Sequence, residues 1–199
     1  DELIKGEKYC SSIYGKNVIR QEGTFKYGKL IEGKKYNKYE LLEEEGTFKD
    51  GKLDGKGTIY AENGRIGKKG NFKDGKLNGK GKIYFTKKIN YKNSIEEKGI
   101  FKNDQLIKGE KYYSSVYGKN VIRQEGTFNN LEILEGAGTK YDENGNLIEE
   151  GTFKNGYLIV GEKYYENGKV EEGTFKDNVL IEGKKYDENG NLIEEIKID

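Results

Sequence analysis

Thirty-five carboxylates are the most abundant candidates for chemistry in this 199-residue chain. Paired carboxylates are what glycoside hydrolysis uses, but that reaction needs a cleft that holds one acid protonated. Acids this dense meet in pairs on exposed strands by default, so no enzyme is expected. Asp142-Glu-Asn-Gly-Asn146 and Asp187-Glu-Asn-Gly-Asn191 place side-chain oxygens at alternate positions, as calcium loops do. Neither is followed by the bidentate Glu of an EF-hand, and plain turns are expected instead. His is absent and Cys10 is the single cysteine, which excludes Ser-His-Asp and Cys-His nucleophiles and leaves zinc little but carboxylates. No catalytic residue, metal or cofactor is therefore expected. What remains is the chemistry of recognition. Tyr14, Tyr91 and Tyr117, with Arg20 and Arg123 in the same stretches, are of the residue types that dominate interface hot spots. Ile13, Ile89 and Val116 lie beside them.

Composition narrows the partners. Lys and Arg number 36 against the 35 acids, for a net charge of +1, which gives no general pull toward nucleic acid. The Lys-rich stretch 68–92 carries aromatics, yet acids lie close by, and no nucleic-acid contact is expected. No apolar run approaches the length of a membrane span. Only 33% of residues are hydrophobic while 36% are charged, a balance that resembles disorder. Near-zero net charge, 24 Tyr and Phe, and no Pro argue the other way. A thin sheet packed by aromatics and glycines fits better than a conventional two-layer domain.

The elements that carry these residues follow from a repeat. Gly-x-Phe recurs at Gly23, Gly46, Gly70, Gly99, Gly126, Gly151 and Gly173, and self-similarity at such a period means a repeat array. Residues 1–25 also match 104–128 at 22 of 25 positions. Each unit reads as two strands. Leu147–Lys154 and Tyr157–Tyr164 flank Asn155-Gly156, a type I′ hairpin signal. Asp50-Gly51, Asp74-Gly75 and Asp177-Asn178 repeat it. Glu-Asn-Gly, at 62–64, 143–145, 166–168 and 188–190, supplies the second turn, with Gly in the left-handed region. Tight turns everywhere make neighbouring strands antiparallel. The expected fold is all-β: an elongated, single-layer, open β-meander of roughly 15–16 strands, forming one repeat domain over 1–199. Alternation puts Leu147, Glu149, Gly151 and Phe153 on one face, which is expected to be the packed one, with rings lying over the glycines. Glu-Glu on first strands and Gly-Lys-Lys or Gly-Glu-Lys on second strands are expected to pair across the ladder on a solvated face. In 192–198, Ile196 and Ile198 replace the Gly and Phe of the repeat, as in a capping strand.

The phrases Glu-Gly-Thr-Phe-Lys-Asp-Gly-Lys-Leu-Asp-Gly-Lys-Gly-Thr-Ile-Tyr (45–60) and Tyr-Asp-Glu-Asn-Gly-Asn-Leu-Ile-Glu-Glu-Gly-Thr-Phe-Lys (141–154) resemble MORN repeats, closest to the bacterial MORN-2 variety. Glu45 and Lys69 stand where that pattern has an aromatic, and Gly161–Tyr164 shortens it. The resemblance implies a non-enzymatic scaffold that binds a protein partner and can form homodimers. For MORN-2 relatives it further implies export and a role in contact between bacterium and host. Competing expectations are a cytoplasmic antitoxin-like or assembly protein and a peripheral binder of acidic lipid. Residue 1 is Asp and Met is absent, so a natural start upstream, with a signal segment or further repeats, is expected. Three connections run long, from Tyr9 to Gly23, Tyr84 to Gly99 and Tyr112 to Gly126. Their tips hold Tyr14, Tyr91 and Tyr117, and this edge, or else the concave Gly/aromatic face, is the expected partner contact.

Overall fold

The computed structural model of the chain describes residues 2–11, 17–87, 94–114 and 120–197. Its regular structure is all strand, and the sixteen strands follow chain order in one open antiparallel sheet. By compactness the chain divides into two units, Asp1–Gln105 and Leu106–Asp199. The first contains β1 (Ile4–Ser11), β2 (Asn17–Lys26), β3 (Lys29–Tyr36), β4 (Leu42–Lys49), β5 (Lys52–Tyr60), β6 (Ile66–Lys73), β7 (Lys76–Tyr84) and β8 (Ile95–Lys102). Then β9 (Gln105–Tyr112) starts on the last residue of that unit. The second continues through β10 (Ile122–Phe128), β11 (Leu134–Tyr141), β12 (Leu147–Lys154), β13 (Tyr157–Tyr164), β14 (Val170–Lys176), β15 (Val179–Tyr186) and β16 (Leu192–Ile196).

Turn chemistry sets this order. Asp50-Gly51, Asp74-Gly75, Asn155-Gly156 and Asp177-Asn178 all have both residues at positive φ, between 47° and 82°, as a type I′ turn requires. Tyr27-Gly28 does the same at 48° and 69°, although Tyr is a costly residue there. The second turn is closed by its own first side chain. Asp142 Oδ1 accepts the N–H groups of Asn144 and Asn146, each at 2.8 Å, and Asp187 repeats this with Asn189 and Asn191.

Within each unit the repeat glycines pair in an unbroken line across the strands. In the first unit Gly6, Gly23, Gly33, Gly46, Gly57, Gly70, Gly81 and Gly99 are successive cross-strand partners. In the second, Gly109, Gly126, Gly138, Gly151, Gly161, Gly173 and Gly183 are, and Ile196 then stands opposite Gly183. Gly151 shows why. A Cβ there would meet Val160 O at 2.1 Å, Gly161 Cα at 2.7 Å and Leu158 Cδ1 at 3.0 Å, at a φ of +149°. The two backbones are too close for any side chain.

The packed face is the one alternation assigns, since Glu149 and Phe153 are buried while Glu150, Thr152 and Lys154 are exposed. The atoms over the glycines correct the expectation of aromatic rings. Leu53 lies over Gly57, Leu77 over Gly70 and Gly81, and Leu134 over Gly126 and Gly138. A register shift beside the phenylalanine makes this possible: Thr152 pairs with Val160 but Phe153 with Leu158, which leaves one extra residue on β13. Such a bulge re-aims the leucine. Phe25 pairs with Leu30, Phe48 with Leu53, Phe72 with Leu77, Phe128 with Leu134, Phe153 with Leu158 and Phe175 with Leu180, and all are buried. Burying each side chain contributes about 1.5–3 kcal/mol, so these pairs are the core.

Lysine–glutamate pairs do bridge the ladder, but not only on a solvated face. Lys35–Glu44 and Lys140–Glu149 sit on the phenylalanine side, each at 2.8 Å. Lys35 and Lys140 lie 4.5 and 5.0 Å from the ring centroids of Phe48 and Phe153. Each also donates to a carbonyl in the next type I′ turn, Gly51 O and Gly156 O. Lys111 repeats the arrangement over Phe128 with Glu132. The long lysine stem covers the ring while the ammonium group ties two hairpins together.

Candidate functional site

The opposite face and the hairpin ends are where the repeats differ. The odd-numbered strands β3 to β15 each end on a tyrosine, and β1 carries Tyr9 near its end. Their hydroxyls mostly find a glutamate on the same face. Tyr60 donates to Glu45 at 2.9 Å and Tyr186 to Glu172 at 3.2 Å. Tyr9, Tyr112 and Tyr164 donate to Glu7, Glu110 and Glu162, two residues back on their own strands. Burial first, then donation to the carboxylate and its charge, raises the phenols of Tyr60, Tyr112 and Tyr186, whereas for Tyr9 and Tyr164 the donation comes first, and Tyr164 is pushed up to about 12. Glu22 is held below the usual carboxylate range, first by its hydrogen bond with Lys34, 2.9 Å away, with Tyr36 adding to this.

The residues flanking the glycine line form a second row on this face. In the second unit it is mainly acidic, with Glu150, Glu162 and Glu172 in direct succession. In the first unit it runs from Glu7 and Glu22 through Lys34, Glu45 and Thr58 to Lys69, Lys82 and Lys98. Two open depressions lie on that first-unit row. One of about 860 Å³ spans Gly6, Gly23, Gly33 and Gly46, and one of about 520 Å³ lies over Gly81 and Gly99. Both are shallow, and beside the larger one Glu7, Glu22 and Glu45 are engaged with lysine or tyrosine. Nothing here isolates a carboxylate pair for acid–base work.

The sequence candidates fall as follows. Tyr14, Tyr91 and Tyr117, with Ile13, Ile89 and Val116, lie outside the described residues. In the first unit the Arg20 guanidinium is half-buried. Its Nε donates to Cys10 Sγ at 2.8 Å and its Nη1 to Tyr36 O at 3.3 Å. In the second unit Arg123 is exposed, and its charge opposes the burial that raises the Tyr113 phenol. Tyr113 itself donates to Tyr141 O at 2.8 Å. The Asp142 and Asp187 loops spend their carboxylates internally, since Oδ2 of each also accepts from Asn146 or Asn191. Among the described residues no His, Cys, Asp and Glu cluster could hold a metal.

Sequence reasoning missed the apolar residues at the other edge. Leu131, Tyr157 and Val179 are 72%, 63% and 62% exposed at the ends of three successive hairpins of the second unit. The hairpin at Asn155-Gly156 is stitched to its neighbour, since Gly156 N donates to Leu134 O at 3.0 Å. The signal was present in Gly156-Tyr157 and Asn178-Val179, where an apolar residue follows the turn directly.

The family profile described as MORN repeat variant matches residues 134–155, 160–177 and 181–198, and that described as MORN repeat matches 45–64 and 69–88. No curated protein matches the chain. MORN repeats are a non-catalytic family, commonly of protein- or lipid-binding modules. The glycine-paired hairpin seen in the matched segments recurs in the strands before and between them, and the chain belongs to the MORN repeat family.

Proposed function

We propose that this chain is a protein-binding scaffold whose partner contacts the ends of its hairpins. The observation that carries the reading is the set Leu131, Tyr157 and Val179, apolar side chains exposed on adjacent hairpins of the second unit. Exposed apolar groups gathered together mark interaction sites, whereas single scattered ones are ordinary. Tyr14, Tyr91, Tyr117, Arg20 and Arg123 extend the proposal to the long-hairpin edge, on their residue types and loop lengths. Possible homodimerisation, export and action at a bacterial surface or in host contact complete the proposal, supported by the MORN-2 resemblance.

A photoreactive benzophenone at Tyr157 of the full chain tests it in cells that produce the protein. The expected result is a cross-link to one protein of defined mass, absent when the same group replaces exposed Thr152 on the sheet face. Equal labelling from both positions, or none from either, contradicts the proposal.

A further inference from the structure

One stretch of the first unit breaks the charge pattern of the rest. Between Arg65 and Lys87 the chain carries eight lysines and arginines and a single acid, Asp74. The register gathers part of this charge at one spot: Lys69 on β6 faces Lys82 on β7, which faces Lys98 on β8. Like charges placed directly opposite destabilise a sheet. On the rest of the first-unit row Glu22, Lys34 and Glu45 alternate, and the like-charged Glu7 and Glu22 are met by Tyr9 and Lys34. Among the described residues no ion pair involves Lys69, Lys80 or Lys82.

Tyr84 gives the second observation. Its equivalents Tyr60 and Tyr164 donate to a glutamate one strand away or two residues back. Around Tyr84 those two positions are Lys69 and Lys82. Its hydroxyl has no hydrogen-bond partner among the described residues, and burial alone raises its pKa. A half-buried donor is left facing lysines where its counterparts find a carboxylate. These groups line an open groove of about 520 Å³ that also includes Gly81, Gly99 and Ile100.

We propose that this groove binds the phosphate group of a small phosphorylated ligand, with Lys69, Lys80 and Lys82 meeting its charge and Tyr84 donating its hydroxyl to a phosphate oxygen. Ammonium groups bind phosphate as flexible point charges. Adjacent strands about 4.8 Å apart let several reach one multiply charged group. The ligand supplies the anion that the other repeats carry as glutamate. This site uses none of the residues proposed for protein contact.

Pyrophosphate serves as the probe. Full-length protein titrated with it is expected to show saturable binding by calorimetry and a rise in melting temperature. Lys69→Gln/Lys82→Gln is expected to weaken binding at least tenfold, and Tyr84→Phe several-fold. Without pyrophosphate the double lysine variant should melt no lower than the parent, because a repulsion has been removed. Lys34→Gln, whose lysine already has Glu22, should bind as the parent does. Competition by vesicles of phosphatidylcholine with a phosphoinositide would assign the phosphate to a lipid headgroup, and failure to compete would assign it to a soluble ester; either outcome supports the groove. Absence of pyrophosphate binding, or equal binding by the double variant, overturns the proposal. So does binding of single-stranded RNA without binding of pyrophosphate.

Discussion

Tyr164 shows how a single side chain belongs to both the fold and the open face. Its phenol donates to Glu162, and ionising it would set a phenolate against that carboxylate, which pushes its pKa up to about 12. An unfolded tyrosine titrates near ~10. The folded state therefore favours the protonated phenol, and this contribution is fully present below about pH 10. It is lost as pH rises from ~10 through the folded value. A phenolate difference titration between the parent and Tyr164→Phe should place this midpoint near ~12. Glu162→Gln should bring it down toward ~10 and flatten the alkaline loss of stability. An ordinary tyrosine midpoint in the parent would contradict the hydrogen bond. Little of this was legible in advance. Gly-Glu-Lys-Tyr is visible in sequence and alternation puts Glu162 on the face of Tyr164, but whether the hydroxyl reaches Glu162 or a glutamate on a neighbouring strand, as Tyr60 reaches Glu45, depends on how the strands are laid together. Type I′ residues such as Asn155-Gly156 were legible because their backbone requirement is local.

At the scale of one hairpin, the unit is a glycine pair, a Phe–Leu pair and a lysine laid across the ring. Alternation sorted the residues into two faces, and the glycine and phenylalanine positions identified the packed one. It did not foresee leucine over the glycines, because that depends on the bulge between Thr152 and Phe153, which shifts register by one residue. It also placed the lysine–glutamate pairs in solvent, whereas the side chains of Lys140 and Glu149 are only 20% and 11% exposed. Removing one partner should then cost more than removing both. Lys140→Met leaves Glu149 without its cation and is expected to lower unfolding free energy by about 2 kcal/mol, below the figure for a fully buried pair. Lys140→Met/Glu149→Leu should recover much of that. Urea denaturation of the two variants checks it, and a double variant less stable than the single would contradict the account.

For the whole molecule, the sequence period revealed a repeat array, and the turns made it antiparallel. Family membership and fold were legible because every unit repeats the same glycine, phenylalanine and turn positions. The site was less so. Tyr14, Tyr91 and Tyr117 were chosen on loop length and residue type, whereas the grouping of Leu131, Tyr157 and Val179 on successive hairpins and the lysine row from Lys69 to Lys98 emerge when strands are laid side by side. A repeat sheet of this kind keeps its backbone uniform and varies what it displays. Its stability rests on nearest-neighbour contacts, and the closest are the paired glycines. Hydrogen exchange on the full chain carrying Gly151→Ala, beside Gly6→Ala, tests this claim most directly. A Cβ on Gly6 meets nothing within 4 Å, whereas one on Gly151 meets Val160 O at 2.1 Å. The account predicts that Gly6→Ala keeps parental protection, within about 0.5 kcal/mol. Gly151→Ala should strip protection from β11 to β14, at a cost on the order of 2–4 kcal/mol. Parental protection in Gly151→Ala would contradict the account.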